Sequence, residues 1–196
     1  MHRFNPDNRH RLLSEQRYEM LPPDRVLDLL PLRLGAVVGD IGCGPGFFTL
    51  PLAERLGEAG VVYAADVEPV MLQMVQERAE AAGLTNIRTL LAEEQALPLA
   101  PASLDGALLA LVYHEFGDRT DYLSLLARLI RPGGWLALIE WERRENPGGG
   151  PPLASRITPE EATTELATTG WRVTGRHAVS EWLYLLLAER DTGGDR

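Results

Sequence analysis

Short apolar runs alternate with amphipathic stretches along most of the chain. Five apolar runs are predicted to be strands, at residues 36–41, 61–66, 86–92, 104–112 and 135–141. The intervening stretches repeat apolar residues at helical spacing and predict helices, at residues 47–56, 69–82 and 121–130, with another beginning at Pro23. This alternation predicts an α/β fold with a doubly wound parallel sheet and right-handed crossovers.

The C-terminal part of the chain departs from this alternation. A helix is predicted at residues 159–168, and strands follow it at 171–178 and 181–187. The connection between these two strands is too short to contain a crossover helix. They are therefore expected to form an antiparallel hairpin that extends the sheet.

A glycine-rich turn follows the first predicted strand. Residues 40–46 read Asp-Ile-Gly-Cys-Gly-Pro-Gly, and they lie at the carboxyl edge of the sheet, where ligands bind in folds of this kind. Gly42, Gly44 and Gly46 allow the backbone to bend sharply and to approach a bound molecule. A dinucleotide-binding turn needs a glycine at position 47, which is Phe47, so the motif does not favour NAD.

Acidic side chains at the ends of the first three strands narrow the choice of ligand. Asp40 stands before the turn, where it repels phosphate and attracts a cation. Asp66 ends the second strand, where an acid accepts hydrogen bonds from ribose hydroxyls. Glu93 and Glu94 follow the third strand, where a carboxylate can accept an adenine amino proton, although two solvated loop acids would explain them equally. A nucleoside with a cationic methionine tail, S-adenosylmethionine, fits this pattern.

These motifs resemble those of the class I S-adenosylmethionine-dependent methyltransferases over residues 24–188. Five segments match the family in order: the turn at 40–46, Asp66, the stretch from Glu93, Asp105 in the segment that opens strand four, and the turn at 131–134. The resemblance implies a Rossmann-like sheet of seven strands in the order 3-2-1-4-5-7-6, with strand 7 antiparallel.

The resemblance also implies which residues contact the cofactor. They are expected at the carboxyl ends of the first four strands: Asp40, Gly42, Cys43, Gly44, Gly46, Asp66, Val67, Glu93, Glu94 and Ala110. For Cys43, packing in the core is the simpler explanation of its side chain, and the same holds for Met71.

Within the family, the chain is similar to small methyltransferases of the ubiquinone/menaquinone and arsenite types, at residues 21–23 and 113–116. An arsenite acceptor needs several thiols, and the chain has one. His114 and Glu115 follow strand four, where the activated methyl group should emerge, so each is a candidate general base or substrate ligand. The alternative is that His114 packs and Glu115 pairs with Arg119 one helical turn later.

The methyl acceptor is expected to be a small molecule. Specificity in this fold comes from the N-terminal segment and from the loop after strand five, and both are short here, at 1–25 and 142–158. We expect a helical lid or substrate segment at 1–23, the methyltransferase domain at 24–190 and a flexible tail at 191–196.

Some aromatic and basic residues admit two interpretations. Three aromatics either line the acceptor pocket or belong to the core: Tyr18, Tyr113 and Trp141. Three arginines either hold an anionic substrate beneath the lid or belong to a solvated helix: Arg9, Arg11 and Arg17.

Composition excludes several other chemistries. All nineteen basic residues are arginine, which removes a phosphate-binding lysine and any Schiff base, including one to pyridoxal phosphate. The formal net charge of −9 argues against a nucleic-acid partner and an anionic membrane surface. A single cysteine excludes a disulfide scaffold and a cysteine-rich metal site, and no metal is expected.

The predicted function is therefore methyl transfer from S-adenosylmethionine to a small-molecule acceptor by in-line displacement. The alternatives are a non-catalytic protein that binds this cofactor or its demethylated product, a nicotinamide oxidoreductase, and a transfer RNA methyltransferase, which the net charge opposes. The N-terminus lacks the apolar core of a signal peptide, and the longest apolar run, at 107–113, is too short to cross a bilayer. A cytoplasmic protein without a membrane span is expected, and its oligomeric state stays open.

Overall fold

The computed structural model describes residues 11–93, 96–145 and 149–192, and a seven-stranded sheet lies at its centre. The strands are β1 (Val37–Ile41), β2 (Val61–Asp66), β3 (Ile87–Leu91), β4 (Leu104–Ala110), β5 (Ile130–Trp141), β6 (Trp171–Ala178) and β7 (Leu183–Arg190). Their order is β3-β2-β1-β4-β5-β7-β6. β7 runs antiparallel to both of its neighbours, β5 and β6, whereas the other paired strands are parallel. The predicted topology is confirmed.

Six α-helices are described: α1 (Glu15–Met20), α2 (Pro23–Leu27), α3 (Thr49–Leu56), α4 (Pro69–Ala81), α5 (Arg119–Leu129) and α6 (Pro159–Thr168). Proline in the first turn starts three of them, where its missing N–H is not needed. Thr158 and Glu161 form a capping box at the start of α6. Within the described residues, no helix is long and apolar enough to cross a membrane.

Several strand boundaries differ from those predicted; β7, for example, spans Leu183–Arg190 where 181–187 was predicted. Two of the other differences have a clear structural reason. β5 begins at Ile130, before the predicted start at Trp135, because Ile130 already pairs with Leu104 and a bulge follows. β4 ends at Ala110, before the predicted end at position 112, because Leu111 has a positive φ of 61° that leaves the strand conformation.

Helices cover both faces of the sheet. On one face, α5 and α6 pack through residues such as Leu126 and Leu166, and on the other α2 and α3 pack through residues such as Leu27 and Leu52. These four side chains are almost completely buried. Since both faces are covered and β1, β2, β4 and β5 run parallel, the loops at their shared carboxyl edge are the part of the sheet left to bind a ligand.

Candidate functional site

The loop between β1 and α3 contains three glycines, and all three have positive φ. The angles are 69° at Gly42, 52° at Gly44 and 84° at Gly46, in the region that favours glycine. Gly42 has a second reason to be glycine, because a Cβ atom there would lie 2.5 Å from Cγ2 of Val112. The loop therefore packs directly against the segment that follows β4.

Hydrogen bonds tie this loop to the end of β2. The N–H of Gly42 donates to the carbonyl of Ala65 at 2.8 Å. Asp66 accepts the N–H of Gly44 through Oδ2 at 2.8 Å and that of Glu68 through Oδ1 at 2.9 Å. Each carboxylate oxygen keeps a further lone pair that can accept a hydroxyl proton. The structure thus places Asp66 beside the glycine loop.

Asp40 lies buried beneath the loop. Its Oδ2 accepts a 2.6 Å hydrogen bond from the hydroxyl of Thr49. Burial raises the pKa of Asp40 to about 7. The hydrogen bond from Thr49 opposes this rise, and the nearby negative charge of Asp66 adds to it. Burial also raises the pKa of Asp66, although its two N–H donors oppose the rise. A cation close to this pair would stabilise both carboxylates.

Helix α1 covers the glycine loop. The guanidinium carbon of Arg17 lies 4.9 Å from the centre of the Phe47 ring, and the Tyr18 ring packs on the same ring at 4.7 Å. The Nε of Arg17 is buried and has no hydrogen-bond partner among the described residues. Burial lowers the pKa of Arg17 to about 10, and the negative charge of Asp40 opposes this fall. Arg9 lies outside the described residues.

The other predicted cofactor contacts lie at the ends of β2, β3 and β4. Val67 and Glu93 are exposed, and the first residue after β3 donates its N–H to the carbonyl of Asp66 at 2.9 Å. The end of β3 is therefore adjacent to the end of β2. Ala110 is half-buried at the end of β4. Glu94 lies outside the described residues.

Cys43 and Met71 belong to the core. The Met71 side chain is buried in α4, and Cys43 packs against Leu72 and Val75 of the same helix. Burial raises the pKa of the Cys43 thiol well above its ordinary value, and the negative charges of the nearby acids add to the rise. The thiol therefore stays protonated and is not a nucleophile.

A buried acid holds His114 in place after β4. A 3-10 turn over Tyr113–Glu115 carries the imidazole, whose Nδ1 lies 2.8 and 3.0 Å from the two carboxylate oxygens of Glu140. The backbone N–H of His114 donates to Oε1 of Glu140 at 3.1 Å. Glu140 is completely buried in β5. The turn and the strand are thus joined through one carboxylate.

The surroundings of His114 raise its pKa. Burial lowers the pKa, but the hydrogen bond and the negative charge of Glu140 outweigh burial, and the charge of Glu115 adds to the rise. Oε1 of Glu115 lies 3.8 Å from Nε2 of the imidazole. Arg119 pairs with Glu165 of α6, whereas the alternative considered above paired it with Glu115.

His114 lines a cleft of about 500 Å³. The cleft lies between the segment after β4, the segment before α6, and α6 itself, and its lining is mostly polar. The lining residues are His114, Phe116, Gly117, Arg119, Arg143, Ala154, Ser155, Arg156, Ile157, Glu161 and Glu165.

Arginines organise the walls of this cleft. Arg143 pairs with Glu161 at 2.5 Å. Arg156 is buried and donates to the backbone carbonyls of Glu142 and Pro151, at 3.1 and 3.0 Å. Its guanidinium also lies over the ring of Trp141 at 5.2 Å. The segment between β5 and α6 is therefore held against the end of the strand.

Two of the three aromatics with open interpretations belong to the core. Tyr113 is completely buried, and its hydroxyl donates to Oε2 of Glu165 at 2.5 Å. Trp141 is 6% exposed. Tyr18 is exposed and lies on the Phe47 ring in the N-terminal cover.

Sequence reasoning did not identify Glu140. The available signal was an acidic residue within the apolar run at 135–141, which was predicted to be a strand. Thr49 was also missed, because a hydroxyl in the first turn of a helix is too common to be a signal. Within the described parts of the chain, no group of three or more side chains could hold a metal ion.

Comparisons of the sequence and of the structure with known proteins both find methyltransferases. Residues 39–138 match a family model for a methyltransferase domain. The structure is similar to that of an S-adenosylmethionine-dependent methyltransferase from Aquifex aeolicus, with 31% identity and a TM-score of 0.91 over 96% of this chain and 100% of the other.

Two curated relatives are methyltransferases whose names refer to menaquinone or ubiquinone. The chain is 35% identical to a demethylmenaquinone methyltransferase from Thermus thermophilus, over 67% of this chain and 59% of the relative. It is 32% identical to a ubiquinone/menaquinone biosynthesis C-methyltransferase from Hahella chejuensis, over 62% of this chain and 49% of the relative. The chain thus spans about half to three fifths of the length of these relatives. The matched family model covers half of the chain and includes the glycine loop and Asp66, so the chain belongs to the class I S-adenosylmethionine-dependent methyltransferases.

Proposed function

We propose that the protein transfers the methyl group of S-adenosylmethionine to a small-molecule acceptor. The observation that carries this proposal is the hydrogen bond from Gly44 to Asp66, which unites the glycine loop after β1 with a carboxylate at the end of β2. A nucleoside binds at such an edge through its ribose hydroxyls. The neighbouring buried Asp40 favours a positively charged ligand.

The residues present fit S-adenosylmethionine. The remaining lone pairs of Asp66 would accept the ribose hydroxyls, and the backbone of residues 42–46 would hold the methionine part. Val67 and Glu93, both exposed beside Asp66, would contact the adenine, and Glu94 and Ala110 complete the proposed set. The carboxylates of Asp40 and Asp66 repel phosphate at this edge, which disfavours the nicotinamide alternative.

When bound, S-adenosylmethionine supplies an electrophilic methyl group on a positively charged sulfur. The protein has to align the acceptor with that group and exclude water, and such alignment lowers the barrier of a two-reactant step by about 7–11 kcal/mol in favourable cases. Leu111 has a positive φ and follows the end of β4 directly, and His114, three residues later, lines the cleft. Such unusual backbone conformations in non-glycine residues are concentrated at functional sites.

The cleft beside His114 is the proposed acceptor site. Its volume of about 500 Å³ suits a small molecule. The names of the curated relatives make a quinone precursor one candidate for the acceptor. His114 and Glu115 are the proposed groups that contact the acceptor.

We also propose that the N-terminal segment acts as a lid on the cofactor. Its contacts with the glycine loop support this role, since Arg17 and Tyr18 both pack on Phe47. The proposed domain limits are those expected from the sequence, with the lid at 1–23, the domain at 24–190 and the tail at 191–196. A cytoplasmic location and the lack of a nucleic-acid partner stay predictions.

The experiment is transfer of a tritiated methyl group from S-adenosylmethionine to a panel of small phenols, hydroquinones, amines and thiols. We expect label in at least one acceptor with the wild-type chain and none with Asp66→Ala, which lacks the proposed ribose ligand. Tight binding of the cofactor without transfer to any acceptor would favour the non-catalytic alternative. A fluorescence titration with NADH tests the oxidoreductase alternative, and no binding is expected.

A further inference from the structure

Glu140 is an ionisable side chain in the buried, otherwise apolar second half of β5, residues 135–141. Its relative exposure is 0%, and its neighbours in β5 include the fully buried Leu138 and Ile139. A buried carboxylate is strongly unfavourable unless hydrogen bonds satisfy it. The site therefore needs donors that are fixed in position.

The donors come mainly from His114. Oε1 of Glu140 accepts the backbone N–H of His114 at 3.1 Å and faces Nδ1 of the imidazole at 2.8 Å. Oε2 lies 3.0 Å from Nδ1 and accepts the backbone N–H of Trp141 at 3.1 Å. Both oxygens are thus engaged, and both contact the same ring nitrogen.

This geometry fixes the tautomer of His114. A carboxylate only accepts hydrogen bonds, so the nitrogen that faces it must carry the proton. The neutral imidazole therefore has hydrogen on Nδ1 and a lone pair on Nε2. The ring lines the cleft, and Oε1 of Glu115, the carboxylate beside Nε2, is 3.8 Å away, which is beyond hydrogen-bonding distance.

We propose that Nε2 of His114 is the base that takes a proton from the methyl acceptor. Glu140 is the positioning residue, which in the neutral ring holds the proton on Nδ1 and so leaves the lone pair on Nε2, facing the cleft. The inference rests on the proposed methyl-transfer function and adds the class of acceptor. That class is a molecule that loses a proton on methylation, such as a phenol, an enol or an aromatic carbon activated by a hydroxyl group. Tertiary amines and thioethers, which have no proton to lose, are excluded.

The reaction balances with these groups alone. A bond forms between the acceptor oxygen or carbon and the methyl carbon, while the bond between that carbon and sulfur breaks and sulfur keeps the electron pair. The acceptor's proton passes to Nε2, and the resulting imidazolium is stabilised by the carboxylate of Glu140. Solvent in the cleft then removes the proton, which restores the neutral ring.

Charged groups on three segments act on this imidazole. Glu140 of β5 and the adjacent Glu115 favour its protonated form, whereas Arg156, from the segment before α6, opposes it. Glu140 alone of these three contacts the ring within hydrogen-bonding distance. Replacing its charge should therefore change the titration of His114 more than replacing that of Glu115.

The first test uses nitrogen NMR of the full chain labelled in its histidine rings, with His114→Asn to assign the resonances of His114. In the wild type we expect the neutral ring to carry its proton on Nδ1. In Glu140→Gln we expect the tautomer protonated on Nε2 to become populated and the titration midpoint to move to lower pH. Glu115→Gln is the matched control and should keep the wild-type tautomer. A wild-type ring protonated on Nε2, or one that never loses its second proton over the pH range of activity, would overturn the proposal.

The second test follows methyl transfer to 1,4-naphthalenediol under argon, with N,N-dimethyl-1-naphthylamine as a probe of similar size that has no proton to lose. We expect transfer to the diol and none to the amine. His114→Gln should lower kcat roughly a hundredfold and Glu140→Gln roughly tenfold or more, with cofactor Kd within about twofold. The acidic limb of the kcat profile should move to lower pH in Glu140→Gln, together with the NMR midpoint.

If the role of Glu140 is purely structural, Glu140→Gln will lower stability without moving the acidic limb of the kcat profile. If Glu140→Gln folds poorly, Glu140→Asp keeps the charge and should retain the wild-type tautomer with partial activity. Methyl transfer with wild-type pH profiles in both His114→Gln and Glu140→Gln would overturn this inference and leave the proposed function standing. A wild-type chain that transfers methyl to no acceptor, but shows the expected tautomer, would instead contradict the proposed function.

Discussion

Oδ2 of Asp66 accepts a 2.8 Å hydrogen bond from the backbone N–H of Gly44, so the end of β2 and the loop after β1 form one unit. The other oxygen is held by the N–H of Glu68 at 2.9 Å. The carboxylate is therefore oriented by the protein itself, and a ligand would not have to order it. Cofactor binding should depend on this carboxylate more than on any other side chain of the loop.

Gly42→Ala should destabilise the protein more than Gly83→Ala. The two glycines have φ of 69° and 68°, but a Cβ at Gly42 would lie 2.5 Å from Val112, whereas nothing lies within 4 Å of one at Gly83. Left-handed strain should contribute about 1–2 kcal/mol in both variants, and overpacking about 1–3 kcal/mol more at Gly42. Urea unfolding measures the difference. Equal losses would contradict the close packing, and Val112→Ala should restore part of the stability of Gly42→Ala.

Affinity for S-adenosylmethionine should increase between pH 6.0 and pH 7.5. Burial raises the pKa of Asp40 to about 7, so only about a tenth of this carboxyl group is ionised at pH 6.0. The ionised form attracts the sulfonium, and the affinity should therefore rise by roughly five- to tenfold over this range. Calorimetry at both pH values provides the measurement.

S-Adenosylhomocysteine, which lacks the sulfonium charge, is the matched ligand and should show a weaker pH dependence. Asp40→Asn should remove most of the dependence for S-adenosylmethionine. An identical pH dependence for the two ligands would show that Asp40 does not act through the charge on sulfur.

Tyr113→Phe should reduce stability without changing the chemistry. The buried hydroxyl donates to Glu165 at 2.5 Å, and loss of a hydrogen bond to a charged acceptor destabilises by about 1.5–3 kcal/mol. Urea unfolding should show this loss, while kcat for methyl transfer stays within about twofold. Tyr18→Phe, at an exposed position, is the control for stability. A large fall in kcat for Tyr113→Phe would restore its interpretation as part of the acceptor pocket.

Much of the fold follows from the sequence because its signals are local. The apolar run that ends in Asp66, the proline at the start of α4 and the short connection in the C-terminal hairpin each specify an element from neighbouring residues. The end of β4 was predicted two residues too late, because Leu111 is apolar like the strand before it and its type gives no sign of its positive φ.

The site was predictable where residues lie at strand ends and not where they meet across the fold. Asp40 and Asp66 follow from position alone, since parallel strands share a carboxyl edge. Glu140 and His114 are 26 positions apart and meet because the neighbouring strands β4 and β5 run parallel. A pair of Arg119 with Glu115, close in sequence, was the alternative considered, but Arg119 pairs with Glu165 of α6. Tertiary contacts of this kind leave no periodic signal.

Calorimetric titration of S-adenosylmethionine into the wild-type chain and into Asp66→Ala tests the cofactor site most directly. Asp66→Ala removes the carboxylate that is proposed to accept the two ribose hydroxyls, so the affinity for S-adenosylmethionine should fall on the order of a hundredfold. Glu58→Gln, an exposed acid before β2, should bind like the wild type. Equal affinity in the wild type and Asp66→Ala, or no binding by the wild type, would contradict the account.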